Sequence, residues 1–300
     1  MAGSARRRLY LIDSSIYIFR AWFSLPAGLT DPRGNPVNAV YGFAVFLTQL
    51  LEQARPSHVA ALFDESLTTS FRNGLFPGYK ANRELPPAEL ERQLRWCRRL
   101  VRAAGVAEYA STRYEADDLI GTLARQMRRR GFSMVYVSRD KDLLQLVQGA
   151  DRYWDFSAGR VLAAQDVRRE LGVRPRQVPD WLALTGDRVD NIPGVPGIGA
   201  KTAAALIDRY GSLTRVYDNL ERLPVSGLRG AGRLQRLLRD HREQVWLARR
   251  LVTIDTGAPL HPTTAGLRWR GPRPRALSRL FNELGFGPGL RQRFAALAPH

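Results

Sequence analysis

The chain has 300 residues, 44% of them hydrophobic, enough for one large or two ordinary domains with a real core and too apolar for a disordered chain. A net charge of +18 points to a polyanionic partner, nucleic acid ahead of an acidic membrane surface, although part of it reflects a general arginine bias. The single cysteine, Cys97, excludes an internal disulfide and a cysteine zinc site and fits a reducing cytosol; the four histidines are too scattered to suggest metal ligation.

The N-terminal stretch MAGSARRRLYLID is basic, but its apolar run is too short for a signal-peptide core. No apolar run approaches the ~20 residues of a membrane span, so a cytoplasmic protein is expected. Residues 8–13 read as a buried strand ending at Asp13, and a helical pattern follows over about 37–54. A second strand, 58–64, ends at Asp64. Residues 66–88 are basic and punctuated by Gly and Pro, which suggests a mobile loop or substrate gateway, the plainer alternative being a solvated connection. Helical patterns return at 89–104 and at 115–130, the latter stopped by Gly131, before a third strand at 133–138. This alternation predicts an α/β domain with a mostly parallel central sheet flanked by helices. From about 165 the chain turns helical: DVRRELG, WLALTG, AKTAAALIDRYG and the stretch 233–251. The tail RALSRLFNELGFGPGLRQRFAALA reads as one more amphipathic helix with a short ending. The division that follows is an α/β domain over 1–170 and a helical region over 171–300.

Nine of the 28 acidic residues sit in five short clusters: Asp13; Asp64; Glu115, Asp117 and Asp118; Asp140 and Asp142; Asp187 and Asp190. Parallel sheets bind ligands beyond the carboxyl ends of their strands, so Asp13, Asp64 and Asp140 are expected to converge on one crevice. Two unpaired carboxylates 4 Å apart repel by about 4 kcal/mol at an effective dielectric of 20. Convergence therefore calls for cations, and oxygen ligands without nearby histidine or cysteine select Mg²⁺ or Mn²⁺. So many carboxylates suggest at least two ions, which at a spacing of about 3.5–4 Å activate water and stabilise a leaving oxygen in phosphodiester hydrolysis. YEADDL taken alone would also serve as an ordinary helix N-terminal cap.

Only three of the 46 basic residues are lysine, and Lys80, Lys141 and Lys201 all lie in motif-like segments. A retained lysine suggests a site that wants a compact, mobile ammonium. Tyr17, Phe19, Trp22 and Phe23 follow the first aspartate; most are expected in the core, whereas Arg20 is a candidate phosphate contact. GVPGIGAKT, Gly194–Thr202, is not a nucleotide P-loop, because Ala200 separates Gly199 from Lys201. It reads as a helix–hairpin–helix turn that grips a DNA backbone, the alternative being an ordinary tight turn.

The segments LYLIDSS, FPGYKANR, YEADDLIGTLA, SRDKDLLQL, LTGDRVDNIPGVPGIGAKTA and LFNELGFG together resemble the bacterial 5′→3′ exonuclease/flap endonuclease family, of which the N-terminal nuclease part of DNA polymerase I is one form. The resemblance spans nearly the whole chain, and with no polymerase sequence following, it implies a free-standing nuclease. It implies a PIN-like or resolvase-like sheet, a helical arch over about 66–95, and a C-terminal helical region with a helix–hairpin–helix variant at about 180–212. By the resemblance, Asp13, Asp64, Glu115, Asp117 and Asp118 surround one metal, and Asp140, Asp142, Asp187 and Asp190 build a second. Asp13, Asp64, Asp117 and Asp140 would carry catalysis with Lys80 and Arg83, which match a basic pair on the scissile phosphate. Arg72 would lie in the arch entrance and contact DNA. Gly194, Gly197, Gly199, Lys201 and Thr202 would hold the downstream duplex, where the family often binds K⁺. The implied substrates are DNA with a 5′ flap, nick or branched junction and RNA–DNA primer ends, handled by a monomer in replication or repair. Ser14 and Phe23 depart from the family pattern without removing a ligand. A flap-binding module that does not cut and a PIN-like RNase are the competing readings.

Overall fold

Three strands with near-continuous apolar sequences form the centre of the sheet, as expected of strands covered on both faces. These are β1 (Arg8–Asp13), β2 (His58–Asp64) and β4 (Ser133–Val137); β3 (Ala107–Ser111), β5 (Arg152–Asp155) and β6 (Arg160–Leu162) complete it. The computed structural model describes residues 7–65, 68–225, 227 and 230–297. The sheet order is β3-β2-β1-β4-β5-β6, parallel except for the β5–β6 pair at one edge. The chain winds outward from β1 to β3 and then returns to the other side of β1 as β4. The gap beyond the ends of β1 and β4 is therefore the topological switch point, where sheets of this kind open a binding crevice.

Alternating side chains divide the core in two. Leu9, Leu11, Leu62 and Tyr136 face one layer, and Ile12, Phe63, Val135 and Val137 face the other. The second layer holds α1 (Ser14–Ser24), α2 (Asn38–Ala54) and, after the short α3 (Phe71–Leu75), α4 (Ala88–Ala103). The first layer holds α5 (Ala116–Arg128) and much of the helical part that follows: α6 (Ala164–Leu171), α7 (Val178–Thr185), α8 (Ala200–Tyr210), α9 (Leu213–Asp218), α10 (Ala231–Asp240) and α11 (Arg242–Val252). After α12 (Thr264–Leu267), the last helices α13 (Pro274–Leu284) and α14 (Pro288–Ala296) cross back to the second layer. There Leu280, Phe281 and Phe294 are buried with residues of α2 and α4. Backbone bonds from Trp269 to Ser57 (2.9 Å) and from Arg273 to Ala103 (2.8 Å) pin this return.

The three expected strands and the helices over 37–54, 89–104 and 115–130 are present. Three strands are additional: AEYAS, RYWD and RVL are too short and too polar to stand out as apolar runs. The tail is two helices, because Gly285 adopts φ +68° and Pro288 opens a new first turn. Residues 66 and 67 of the expected gateway, like 1–6, lie outside the described residues. The rest of that segment is the five-residue α3, a run of turns over 77–83 and an extended link into α4, whose 88–95 portion lies on the sheet-flanking layer. With five positions of residues 71–87 being Gly or Pro, no longer helix can propagate before Ala88.

Candidate active site

Five carboxylates meet at the switch point. Asp13 closes β1 and is 5% exposed, and Asp64 closes β2. The Ser15 hydroxyl accepts from the Asp64 amide (3.2 Å), while Asp64 Oδ1 accepts from the Ala116 amide in the first turn of α5 (2.8 Å). That amide and the α5 dipole favour negative charge there. Ser138, immediately after β4, donates from Oγ to Asp13 Oδ2 (2.7 Å) and accepts from the Asp140 amide (2.9 Å). Asp140 Oδ1 in turn accepts from the Asp142 amide (2.9 Å), capping the 3₁₀ turn Lys141–Leu146.

The electrostatics follow from this crowding. Burial, then Asp64, and further Asp140, push the Asp13 carboxyl up to about 7. Asp117, on the first turn of α5, is raised well above the usual range by lost hydration and by Asp140, Asp13 and Asp64. Asp142 is raised likewise by burial, Asp140 and Asp187. Asp142 Oδ1 is buried with no hydrogen-bond partner. An unpartnered, buried carboxylate oxygen among other carboxylates is costly unless a cation serves it. Among the described residues no three acidic side chains stand close enough to grip an ion as they are placed. They surround a shared crevice rather than closing on a point, as mutual repulsion requires. The donor set is all oxygen and fits a hard divalent cation.

A second group of acids is already neutralised. Lys80 Nζ lies 2.7 Å from Glu115 Oε2 and 3.8 Å from Asp190 Oδ2, and Arg83 pairs with Asp190 Oδ1. Tyr79, 3% exposed, donates to Glu115 Oε2 (2.9 Å) and lies 3.2 Å from Asp190 Oδ2. Burial alone would raise the Glu115 carboxyl, but Lys80 and Arg72 outweigh it and hold it below its usual range. Burial would lower the Lys80 ammonium, yet Glu115 and Asp190 drive it above its ordinary value. The backbone stitches the same two segments: the Lys80 amide bonds the Asp190 carbonyl (3.0 Å), and Asn191 Nδ2 bonds the Gly78 carbonyl (2.6 Å). Both Lys80 and Asn191 adopt φ +55°, a conformation that non-glycine residues hold only when their surroundings enforce it. Lys141 reaches Asp187 Oδ2 at 3.1 Å.

Two of the expected site residues, Arg72 and Asp118, are buried together. Arg72 is 3% exposed. Its guanidinium binds Asp118 through two bonds (2.7 and 2.8 Å) and the carbonyls of Leu251 (2.7 Å) and Thr253 (3.1 Å). Asp118, fully buried, also accepts from the Glu115 amide (3.1 Å) and the Asp255 amide (2.8 Å). Its two oxygens thus serve Arg72 and two backbone amides in this structure. Successive side chains of a helix point about 100° apart, so Asp117 faces the crevice and its neighbour the interior.

The other candidates lie apart. Arg20 is exposed and lines a cleft of about 520 Å³ with Tyr17, Phe46, Gln49 and Phe156. Phe23 is 80% exposed, whereas Tyr17 is core and stacks on Phe46. Gly194, Gly197 and Gly199 line a cleft of about 910 Å³ with Phe76 and Arg188. Gly194 owes its identity to internal packing, since a Cβ there would lie 2.3 Å from the Thr185 backbone. Gly197, at φ +84°, is exposed and faces Arg233 of α10; Gly199 is the N-cap of α8, with Lys201 exposed in its first turn. Sequence reasoning did not single out Tyr79, Ser138 or Arg233. The first two stand inside quoted motifs, FPGYKANR and SRDKD, and could have been found there; nothing local marks Arg233.

A family model described as the 5′-3′ exonuclease N-terminal resolvase-like domain matches residues 8–172, and the 5′-3′ exonuclease C-terminal SAM fold matches 173–275. The chain belongs to the 5′-3′ exonuclease family. By family it is a nuclease. DNA polymerase I of Bacillus subtilis is 36% identical over 285 residues, covering 94% of this chain and 32% of its own. DNA polymerase I of Pseudomonas aeruginosa is 40% identical over 279 residues, covering 93% and 30%. The chain thus spans about a third of the length of these relatives. Among solved structures, T5 5′-exonuclease with bound divalent metal ions (zinc) superposes with a TM-score of 0.68 at 20% identity, covering 96% and 97% of the two chains. The catalytic core of Rad2 with DNA substrate superposes at 0.66 and 14% identity, covering 97% and 92%. These likenesses extend the fold of this 5′-3′ exonuclease family member over nearly its whole length. No helix among the described residues is long and apolar enough to cross a membrane.

Proposed function

We propose that the chain is a divalent-metal-dependent DNA nuclease that cuts phosphodiesters at or near the junction of a 5′ single strand and duplex. The observation that carries this reading is the meeting of Asp13, Asp64, Asp117, Asp140 and Asp142 at the switch point, with one buried oxygen of Asp142 unpartnered. These residues would hold Mg²⁺ or Mn²⁺, two ions in the form the family resemblance implies, with Asp187 as a ligand on the Lys141 side. When bound, the metal supplies charge stabilisation and an acidified water. The chain's own contribution is placement. Lys80 and Arg83 sit at the crevice rim, and when Glu115 and Asp190 release them they reach a scissile phosphate. The 194–202 turn offers backbone amides and Lys201 to a duplex backbone, and a K⁺ there would neutralise phosphate further. The T5 flap endonuclease in complex with DNA and metal ions and the Rad2 catalytic core in complex with DNA support this reading by analogy of fold. The working division is a nuclease domain over 1–170 and a DNA-binding helical region over 171–300, in a cytoplasmic monomer.

The test is a 5′-labelled flap duplex and a matched blunt duplex incubated in Mg²⁺ or in EDTA. Short labelled products from the flap, absent in EDTA, establish the reaction, and their size places the cut. Tight flap binding with no product in Mg²⁺ or Mn²⁺ would favour a binding module instead.

A further inference from the structure

We propose that Ser138 is a positioning residue for the metal-binding carboxylates, fixing how Asp13 and Asp140 present themselves across the switch point. The proposal rests on the metal-dependent reading above and assigns a role to a residue outside the carboxylate set. Ser138 is fully buried, one residue past β4 and two before Asp140. Its backbone amide bonds the Trp154 carbonyl of β5 (3.2 Å), so its place is set by the sheet rather than by a loop. Its hydroxyl accepts from the Asp140 amide (2.9 Å). A hydroxyl has one proton, and an ionised carboxylate can only accept. The Ser138 proton is therefore committed to Asp13 Oδ2 at 2.7 Å.

The consequence is directional. Tying Oδ2 to the neighbouring strand fixes the rotation of the Asp13 carboxylate, and the same oxygen of Ser138 shapes the turn that delivers Asp140. One hydroxyl thus sets two acids at the ends of the paired strands β1 and β4. Ser15 makes the corresponding brace on the other side, to the Asp64 amide, so the three strand ends β2, β1 and β4 are held in one frame. Partners that orient a metal ligand through hydrogen bonds typically cost 10–100-fold in metal affinity when removed.

The experiment measures Mn²⁺ affinity by titration calorimetry or by the electron paramagnetic resonance of free Mn²⁺, for the wild type, Ser138→Ala and a control, Thr48→Val. Thr48 is equally buried and bonds the Ala44 carbonyl (2.7 Å) within α2, so its loss tests the general effect of deleting an interior hydroxyl. Ser138→Ala should weaken Mn²⁺ binding about 10–100-fold and lower kcat on a flap substrate with KM for DNA unchanged, while Thr48→Val leaves both as in the wild type. Mn²⁺ affinity within twofold of wild type in a folded Ser138→Ala protein would overturn the proposal, whatever its melting temperature. A wild type that binds no Mn²⁺ would overturn the metal-dependent reading itself, and with it this one.

Discussion

Replacing Arg72 by methionine separates the two roles this residue could have. The change keeps much of the apolar stem and removes a guanidinium that makes two bonds to Asp118 and two to backbone carbonyls. Asp118 is then left buried without its counter-charge, though two backbone amides still reach it. Breaking a buried ion pair by removing one partner costs about 3–5 kcal/mol. With an unfolding entropy of about 2.1 cal/mol/K per residue, a chain of this size should lose about 5–8 °C in Tm. Neutralising the orphaned acid should recover part of the loss, so Arg72→Met with Asp118→Asn should be less destabilised than the two single changes summed, by about 1–3 kcal/mol. The assay is thermal and urea unfolding by circular dichroism, beside fluorescence-anisotropy binding of a flap DNA at a temperature where the variant is folded. An unchanged melting temperature with DNA affinity down tenfold or more would refute the burial argument and restore Arg72 as a phosphate contact.

Asp140→Asn keeps an acceptor for the Asp142 amide but removes the charge; cleavage in Mg²⁺ should be lost while flap binding in Ca²⁺ persists, measured by gel assay and anisotropy. Gly197→Val places a β-branched residue at φ +84° and its Cβ 2.4 Å from the Arg233 guanidinium; duplex affinity should fall about tenfold, the equivalent of about 1.4 kcal/mol, and intact affinity would remove that turn from the interface. The third prediction concerns pH in EDTA. The folded carboxyl of Asp13 lies at about 7 against an ordinary 3.8, so between those values the native state binds the extra proton and stability falls as pH rises. The difference corresponds to about 4 kcal/mol at 1.36 kcal/mol per unit. Urea unfolding should show wild type losing more stability than Asp13→Asn between pH 4 and 7.5, and Mn²⁺ should reverse the loss; parallel pH profiles for the two proteins would sink this account.

The sheet centre was legible because buried parallel strands write themselves as apolar runs ending in a functional residue. LYLID and VAALFD carry fold and site in the same few letters. The edge strands were not, since their residues answer to neighbours and solvent more than to a period of two. Within the site, the motifs announced which acids gather but not which are used up by protein partners. Asp117 and Asp118 are adjacent in sequence and opposite in environment, and only the arrival of Arg72, 46 residues away in sequence, distinguishes them. Tyr79 escaped because its chemistry is the joining of Glu115 to Asp190, which it reaches across 36 and 111 residues of sequence. Ser138 is similar: its hydroxyl matters through Asp13, 125 residues earlier.

The return of α13 and α14 to the layer formed by α2 and α4 bears on how the protein is made. During synthesis the sheet emerges first, but the α2–α4 layer that covers one of its faces stays short of Leu277, Leu280, Phe281 and Phe294 until the chain has grown to nearly residue 297. Chains on the ribosome would thus carry an uncovered α2–α4 layer for as long as it takes to translate the intervening helices, at ~5–20 residues per second. Nascent chains stalled before residue 274 are the ones a chaperone should hold, and a coupled-translation pulldown would find release only after the last two helices are out.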